Sequence, residues 1–186
     1  CGLRASRGVP PPDHGPKHAV SCVAYHWESA KMVPLNGRML SGNGLQMAAD
    51  EDRHKSFCNR MGQLWTADQP GSALRFKFKG SVVKVYDLVG PDGGQVVVTV
   101  DGKAGGKPAP RFDSYCTYHR IATLGLVSDV DAEAVHEVSV EIHPEQPDRR
   151  SVAFRLKDPE NELKAPKFQG TRVWMSQLML LGDLVE

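Results

Sequence analysis

Apolar and polar side chains alternate strictly from residue 74 to residue 79. A period of two places Leu74, Phe76 and Phe78 on one face of an extended strand. The opposite face carries only cations, namely Arg75, Lys77 and Lys79. This pattern predicts a half-buried β-strand, and we expect it to end in a turn at residues 79–81.

Two further apolar runs follow at short intervals. Val83 and Val85 predict a second strand, which the glycine-rich segment 90–94 ends. Alternating valines at 96, 98 and 100 predict a third strand, closed by the strong turn dipeptide at 101–102. Together the three strands predict a half-buried antiparallel meander, in which each strand pairs with the next along the chain.

Strand patterns recur along most of the remaining chain. The other strand candidates are His18–Trp27, Met32–Leu40, Gly44–Met47, Tyr115–Leu126, Val135–Ile142, Ser151–Leu156 and Trp174–Val185. The polar segment Ala48–Cys58 predicts a loop or a single helical turn. Short strands about 8–12 residues apart, with turn signals between them, predict an all-β fold: an antiparallel, jelly-roll-like β-sandwich.

The first 28 residues have a different composition. Four prolines between Val9 and Pro16 exclude a helix or a central strand there. We expect residues 1–28 to form a Pro-rich extension or linker and residues 29–186 to form the sandwich domain. Residue 1 is Cys rather than Met, which favours an excised or processed chain, with a lipoprotein anchor at Cys1 as the lesser alternative.

Charge and cysteine content narrow the class of partner. The 186 residues include 23 basic and 22 acidic side chains, for a net charge of +1, so no electrostatic footprint for nucleic acid or an anionic membrane is visible. No apolar run reaches the roughly 18 residues of a membrane span. The cysteines form no CxxC motif and leave the redox state open, with free thiols slightly favoured over disulfides; they are Cys1, Cys22, Cys58 and Cys116.

No motif predicts a catalytic or metal site. The G-x-S-x-G nucleophile motif is absent, and Gly182–Leu184 is half of a GDSL motif without its serine. His14 and His18 are four residues apart, but the Gly-Pro between them breaks any helix that would align them. A calcium site from Asp87, Asp92 and Asp101 lacks a loop of regularly spaced oxygen ligands. We therefore predict no catalytic residue, no metal and no cofactor.

One polar and aromatic cluster is a candidate binding site. Sugar-binding sandwiches stack exposed aromatic rings on pyranose faces and bind hydroxyl groups with polar side chains. The candidate ligand-binding residues are Arg111, Asp113, Tyr115, Tyr118, His119 and Arg120, with His143 in the proline-rich loop that follows it. The alternative for His119 is a structural hydrogen bond at a strand end. Trp65 and Trp174 are predicted core residues.

A series of turn motifs in fixed order carries a family resemblance. It runs over roughly residues 62–186, through PGSALRFKFKG, YD, GPDGG, VDG, FDSYCTYHR, HPEQPD and the closing MLLGDL. This part of the chain resembles the β-sandwich accessory domain attached to bacterial SGNH/GDSL-type hydrolases. Many such hydrolases deacetylate polysaccharides, so the resemblance implies a carbohydrate-active parent protein and an extracellular or periplasmic location. The catalytic blocks of that family are missing, so no catalytic residue is carried over.

We therefore interpret the chain as a non-catalytic accessory domain of an SGNH/GDSL-type carbohydrate esterase. It would bind glycan or pack against a covalently linked catalytic domain. One alternative is a free-standing, lectin-like carbohydrate-binding protein. A second is a hydrolase in its own right that uses His119 and His143 as acid and base. A third is a purely structural module that closes the active site of its neighbour.

Overall fold

The computed structural model describes residues 29–41, 46–48 and 54–185. The expected strand at His18–Trp27 and the Pro-rich extension lie outside these residues. All pairs of named strands are antiparallel, which confirms the predicted all-β sandwich. Among the described residues, no helix is long and apolar enough to cross a membrane.

Eleven strands and two short helices are defined in these residues. The strands are β1 (Lys31–Pro34), β2 (Leu40–Ser41), β3 (Gln46–Met47), β4 (Trp65–Ala67), β5 (Ala73–Val89), β6 (Gln95–Val100), β7 (Lys103–Ala104), β8 (Ala109–Pro110), β9 (Arg120–Val127), β10 (Val135–Ile142) and β11 (Val173–Val185). The helices are α1 (Lys55–Met61) and α2 (Pro159–Glu162), and 3-10 turns occupy Gly37–Met39, Arg150–Arg155 and Pro166–Phe168.

The two long strands β5 and β11 pair along most of their length and bend together. The predicted turn at residues 79–81 is wrong, because β5 continues through Gly80 to Val89. A register shift at Gly182 lies opposite Gly80, where the two backbones approach closely. A Cβ on Gly80 would lie 2.3 Å from the Leu181 carbonyl oxygen, and one on Gly182 would lie 2.2 Å from that of Lys79. Two glycines thus allow the ribbon to bend, and β5 joins both layers of the sandwich.

The predicted meander is also wrong in its pairing. β10 lies between β5 and β6, and it pairs with both of them. The first half of β5 therefore neighbours β10, its second half neighbours β9, and β11 pairs with β5 on both sides of Gly80. Hydrophobic alternation found the residues of these strands, although it divided β5 in two, but it contains no information on which strand lies beside which.

Four other local predictions differ from the structure. The strand predicted at Met32–Leu40 ends at Pro34, and a 3-10 turn at Gly37–Met39 separates it from β2. Tyr115–Leu126 forms turns as far as His119, and its strand begins only at Arg120. Ser151–Leu156 is a 3-10 turn rather than a strand. The polar segment before Cys58 leads into the two-turn helix α1, which is longer than the expected single turn.

The main core lies between the layers and contains residues from both halves of β5. Phe76 and Phe78 precede the bend, Val83 and Val85 follow it, and all four belong to one buried cluster. Arg75, Lys77 and Lys79 are exposed, as the alternation predicts. A second cluster packs Trp174 and Leu88 against Met61 of α1, and a third lies around Phe112 and Phe168 beneath the loops.

Candidate functional site

Three loops meet at one end of the sandwich, and we call residues 90–94, 111–119 and 143–155 the loop end. β5 runs into the first loop and β10 into the third, while the second leads into β9. Backbone hydrogen bonds join the first two loops to each other and the third loop to the start of β6. Gly90 N–H donates to the Arg111 carbonyl at 3.1 Å, Arg111 N–H donates to the Gly94 carbonyl at 2.7 Å, and His143 N–H donates to the carbonyl of Gln95 at 2.9 Å.

Arg149 supports the first loop from the interior of the protein. Its guanidinium is buried and donates to three carbonyl oxygens, at 2.6 Å to Pro91, 3.0 Å to Gly93 and 2.7 Å to Gly170. The guanidinium carbon also lies 5.0 Å from the centre of the Phe112 ring. Burial lowers the pKa of Arg149 from its ordinary value. The sequence analysis missed this residue, because nothing in the sequence separates it from the exposed Arg150 beside it.

A buried ion pair lies beneath the second loop. Arg111 Nε lies 2.6 Å from one oxygen of Asp87, and Arg111 Nη2 donates to the other at 2.9 Å. Their side chains are only 8% and 2% exposed. Burial raises the pKa of Asp87 to about 6, against the lowering effect of Arg111. Arg111 was predicted to bind ligand, and the structure places it inside the protein, supporting β5.

His119 is also largely buried. Its Nε2 lies 2.6 Å from a carboxylate oxygen of Asp92, and its ring meets the His54 ring edge-on at 4.3 Å between centres. Burial raises the pKa of Asp92, but the hydrogen bond and charge of His119, together with the charge of Arg172, hold it below its ordinary value. The ring fills the space above Gly90, where a Cβ would lie 2.2 Å from the His119 Cδ2. His119 therefore supports the first loop from behind.

Asp113 shapes the surface of the second loop. Its side chain accepts hydrogen bonds from the Tyr115 backbone N–H at 2.7 Å and from Arg120 Nη2 at 2.6 Å. An aspartate that binds the backbone two residues ahead is a turn-forming motif. Burial raises the pKa of Asp113, but the hydrogen bonds from the Tyr115 N–H and from Arg120 lower it. The net pKa of Asp113 lies below its usual value. This turn presents Tyr115 outward.

An aromatic–arginine stack forms the outer surface of the loop end. Tyr115 and Phe154 are 51% and 70% exposed. The Arg155 guanidinium carbon lies 4.1 Å from the Tyr115 ring centre and 5.0 Å from that of Phe154. We refer to Tyr115, Phe154 and Arg155 as the aromatic stack. The sequence analysis missed Phe154 and Arg155 because it assigned their segment to a strand, whereas a 3-10 turn places both side chains at the surface.

The remaining predicted residues lie around this stack. Tyr118 is exposed in the same loop as Tyr115. His143 is half-buried, and its Nδ1 accepts a hydrogen bond from the Glu145 N–H at 3.2 Å. Gln95 Nε2 binds the Glu145 carbonyl at 3.2 Å, so the third loop is held against β6. The structure thus brings Asp113, Tyr115, Tyr118 and Arg120 to the surface.

The three aspartates considered for calcium belong to three separate pairs. Asp87 binds Arg111, Asp92 binds His119, and the carboxylate of Asp101 lies 2.7 Å from His136 Nδ1. No group of three or more metal-ligating side chains occurs among the described residues. Of the four cysteines, Cys58 and Cys116 are free thiols, and Cys1 and Cys22 lie outside the described part of the chain.

No family model and no curated protein matches the chain. Several solved structures do match the chain. A two-domain esterase (CEX) active on acetylated mannans, crystallised with mannopentaose, matches with a TM-score of 0.52 and 13% identity, over 84% of this chain and 38% of that one. A family two carbohydrate esterase from Cellvibrio japonicus matches with a TM-score of 0.47 and 13% identity, over 83% of this chain and 34% of that one.

A smaller protein is similar over nearly its whole length. The CBM36-1 domain of a multidomain xylanase from the hindgut metagenome of Trinervitermes trinervoides matches with a TM-score of 0.46 and 7% identity, over 84% of this chain and 99% of that one. Our chain spans little more than a third of the two esterases. The likeness to the mannan-active esterase agrees, at the level of fold, with the resemblance found in the sequence.

Proposed function

We propose that this chain is a non-catalytic, carbohydrate-binding accessory domain of a carbohydrate esterase, and that glycan binds on the aromatic stack. The observation that carries the proposal is the exposed pair of rings, Tyr115 and Phe154, whose centres lie 4.1 Å and 5.0 Å from the Arg155 guanidinium carbon. Aromatic faces bind the C–H faces of sugar rings, and a guanidinium supplies several hydrogen-bond donors for hydroxyl groups.

Rigidity beneath the stack supports a binding role. The carbonyl bonds of Arg149 and the Asp87–Arg111 pair fix the loops from inside. A surface held in one conformation loses less entropy when a ligand binds. Tyr118, Asp113 and Arg120 lie in the same loop as Tyr115, so we propose that they complete the surface.

The histidine chemistry favours binding over hydrolysis. His119 Nε2 faces Asp92 and is largely buried, and His143 Nδ1 accepts a hydrogen bond within its own loop. Each imidazole is thus engaged in holding a loop. The alternative hydrolase, with these two residues as acid and base, would need both rings to face a substrate.

We also propose a covalently linked SGNH-type catalytic domain as partner, and an extracellular or periplasmic location. Support comes from the fold shared with a two-domain esterase, of which this chain spans 38%. A free-standing lectin-like protein would have the same stack without such a partner.

The test is calorimetric titration of the chain with mannopentaose and with soluble acetylated mannan. We expect Tyr115→Ala and Phe154→Ala each to weaken binding by about tenfold, because each removes one stacking ring. Met32→Ala is the matched control, since Met32 is 50% exposed on β1, away from the loop end. All three variants should melt within a few degrees of the parent chain.

Three results would contradict the proposal. Equal affinity of the Tyr115→Ala variant and the parent would exclude the stack as the binding surface. Release of acetate from acetylated mannan by the chain alone would show that it is catalytic. If no glycan binds at all, the role as a packing module beside a catalytic domain replaces the binding role.

A further inference from the structure

A second concave surface lies along the first half of β5, away from the loop end. This groove has a volume of about 630 Å³ and runs between β5 and the 3-10 turn Gly37–Met39. The volume falls in the range typical of small-ligand sites. The residues that matter for its chemistry are Arg38, Met39, Arg75, Lys77, Glu137 and Leu184. None of them belongs to the loop end.

The groove has an excess of positive charge. Three cations line it, against one carboxylate, that of Glu137. The Arg75 guanidinium lies 3.6 Å from the Glu141 carboxylate and donates a hydrogen bond to the Ser41 hydroxyl, whereas Arg38 and Lys77 form no ion pair with any residue that the structure describes. A concave surface lined by one sign of charge concentrates ligands of the opposite sign.

The walls and the strand edge supply further contacts. Met39 and Leu184 are half-buried and give the groove apolar walls. On this side of β5, β2 pairs only with residues 73–74, and β11 pairs from Lys77 onward. Within the described chain, the edge at residues 75–76 therefore has no strand partner. Alternate residues of an antiparallel strand point their N–H and C=O groups to opposite sides, so one of these two residues offers its backbone to the groove.

We propose that this groove binds an acidic saccharide, with the sugar carboxylate held between Arg38, Lys77 and Arg75. The guanidinium fork of arginine matches the two oxygens of a carboxylate, and the ammonium of Lys77 adds a point charge. The choice of a saccharide rests on the proposed function, whereas the choice of a carboxylate rests on the groove itself. A glycan that contains uronic acid would then contact this chain at two places: its neutral sugars would bind the aromatic stack, and its carboxylate would bind the groove.

The experiment is calorimetric titration of the full chain with trigalacturonate in buffer of low ionic strength. We expect Arg38→Gln and Lys77→Gln each to weaken binding by about tenfold, because each removes a charged hydrogen-bond donor. Glu137→Gln should strengthen binding, since it removes the one carboxylate of the groove that repels the ligand. Lys107→Gln is the matched control, because Lys107 is exposed and does not line the groove. Added salt should weaken binding.

The outcomes separate this proposal from the previous one. Loss of trigalacturonate binding in Lys77→Gln, with mannopentaose binding unchanged, supports a distinct acidic site. Retained trigalacturonate binding in a chain that fails to bind mannopentaose overturns the aromatic stack and leaves the groove standing. Unchanged affinity in the Arg38→Gln, Lys77→Gln double variant overturns the groove. Citrate binding as tightly as trigalacturonate also overturns it, because recognition would then be of charge without sugar.

Discussion

Two arginine–aspartate pairs in and beneath the loop end have the same chemistry and different surroundings. Asp87 and Arg111 are 2% and 8% exposed, whereas Asp113 and Arg120 are 46% and 30% exposed. Taking two charges out of water costs several kcal/mol per ion, which only good geometry and complete pairing offset. The inner pair is therefore tied to the stability of the fold, and the outer pair is free to position a surface loop.

The same contrast applies to the two arginine–aromatic contacts. Arg149 lies over Phe112 in the interior and binds three carbonyls, whereas Arg155 lies over Tyr115 at the surface. Similar side chains thus form an inner layer that fixes the loops and an outer layer that is available to a ligand. Variants of each layer should affect different measurements.

The largest effect is expected for Arg111→Met. The substitution removes the only cation paired with Asp87 in the described residues and leaves a buried carboxyl group without its charge partner. Breaking a buried pair in this way costs about 3–5 kcal/mol. Urea denaturation at pH 7 measures the free energy of unfolding.

The double variant Asp87→Leu, Arg111→Met is its control. It removes both charges and should recover much of the lost stability, because no unpaired group remains buried. If the single variant costs less than about 1 kcal/mol, the pair behaves as an exposed one and the contrast between the two layers fails.

Arg149→Met should have the next largest effect. It leaves the carbonyl oxygens of Pro91, Gly93 and Gly170 without the donor that binds them. We expect a loss of about 2–3 kcal/mol in unfolding free energy, since each unsatisfied buried group carries a desolvation cost. Arg150→Met is the matched control, because the neighbouring Arg150 is exposed and pairs with the exposed Asp148. An equal loss in both variants would contradict the role given to Arg149.

The inner pair also predicts a pH dependence. The pKa of Asp87 is about 6 in the folded protein and has an ordinary value near 3.8 when unfolded, because burial disfavours its charge. A raised carboxyl pKa stabilises the folded state below the unfolded pKa, and this contribution is lost as the pH rises toward 6. The stability of the parent chain relative to Asp87→Asn should therefore fall between pH 4 and pH 6 and stay constant above. A difference that rises over this interval would show that Arg111 outweighs burial.

Sequence patterns predicted the strands that have one buried face. They failed where contacts with residues far away in the sequence determine the structure. Phe76 and Phe78, and later Val138 and Val140, alternate with polar residues, so both strands were located correctly. The sequence predicted a turn at Gly80, because glycine is common both in turns and where two backbones approach closely. A glycine is needed at position 80 because the backbone at Gly182, about a hundred residues later in the sequence, approaches it closely.

The binding surface was only half predictable, for a related reason. Tyr115 and Tyr118 were found because aromatic and polar residues cluster in one short segment. Phe154 and Arg155 come from a segment about 40 residues away, and only tertiary contacts bring them to Tyr115. Arg111 and His119 lie in the same sequence cluster, yet each has a buried acidic partner, Asp87 or Asp92, that composition alone does not indicate.

The smallest stability effect is expected for Arg120→Gln, and it tests the comparison most directly. Exposed ion pairs contribute about 0–1 kcal/mol, because water already solvates both groups, so the unfolding free energy should change by less than about 1 kcal/mol. The pKa of Asp113 should rise, since the bond from Arg120 is one of the contacts that hold it below its usual value. NMR titration of the Asp113 carboxyl group measures this shift. Since Asp113 also binds the Tyr115 N–H, glycan affinity should fall modestly with no loss of melting temperature. A stability loss as large as that of Arg111→Met would mean that exposure does not distinguish the two pairs.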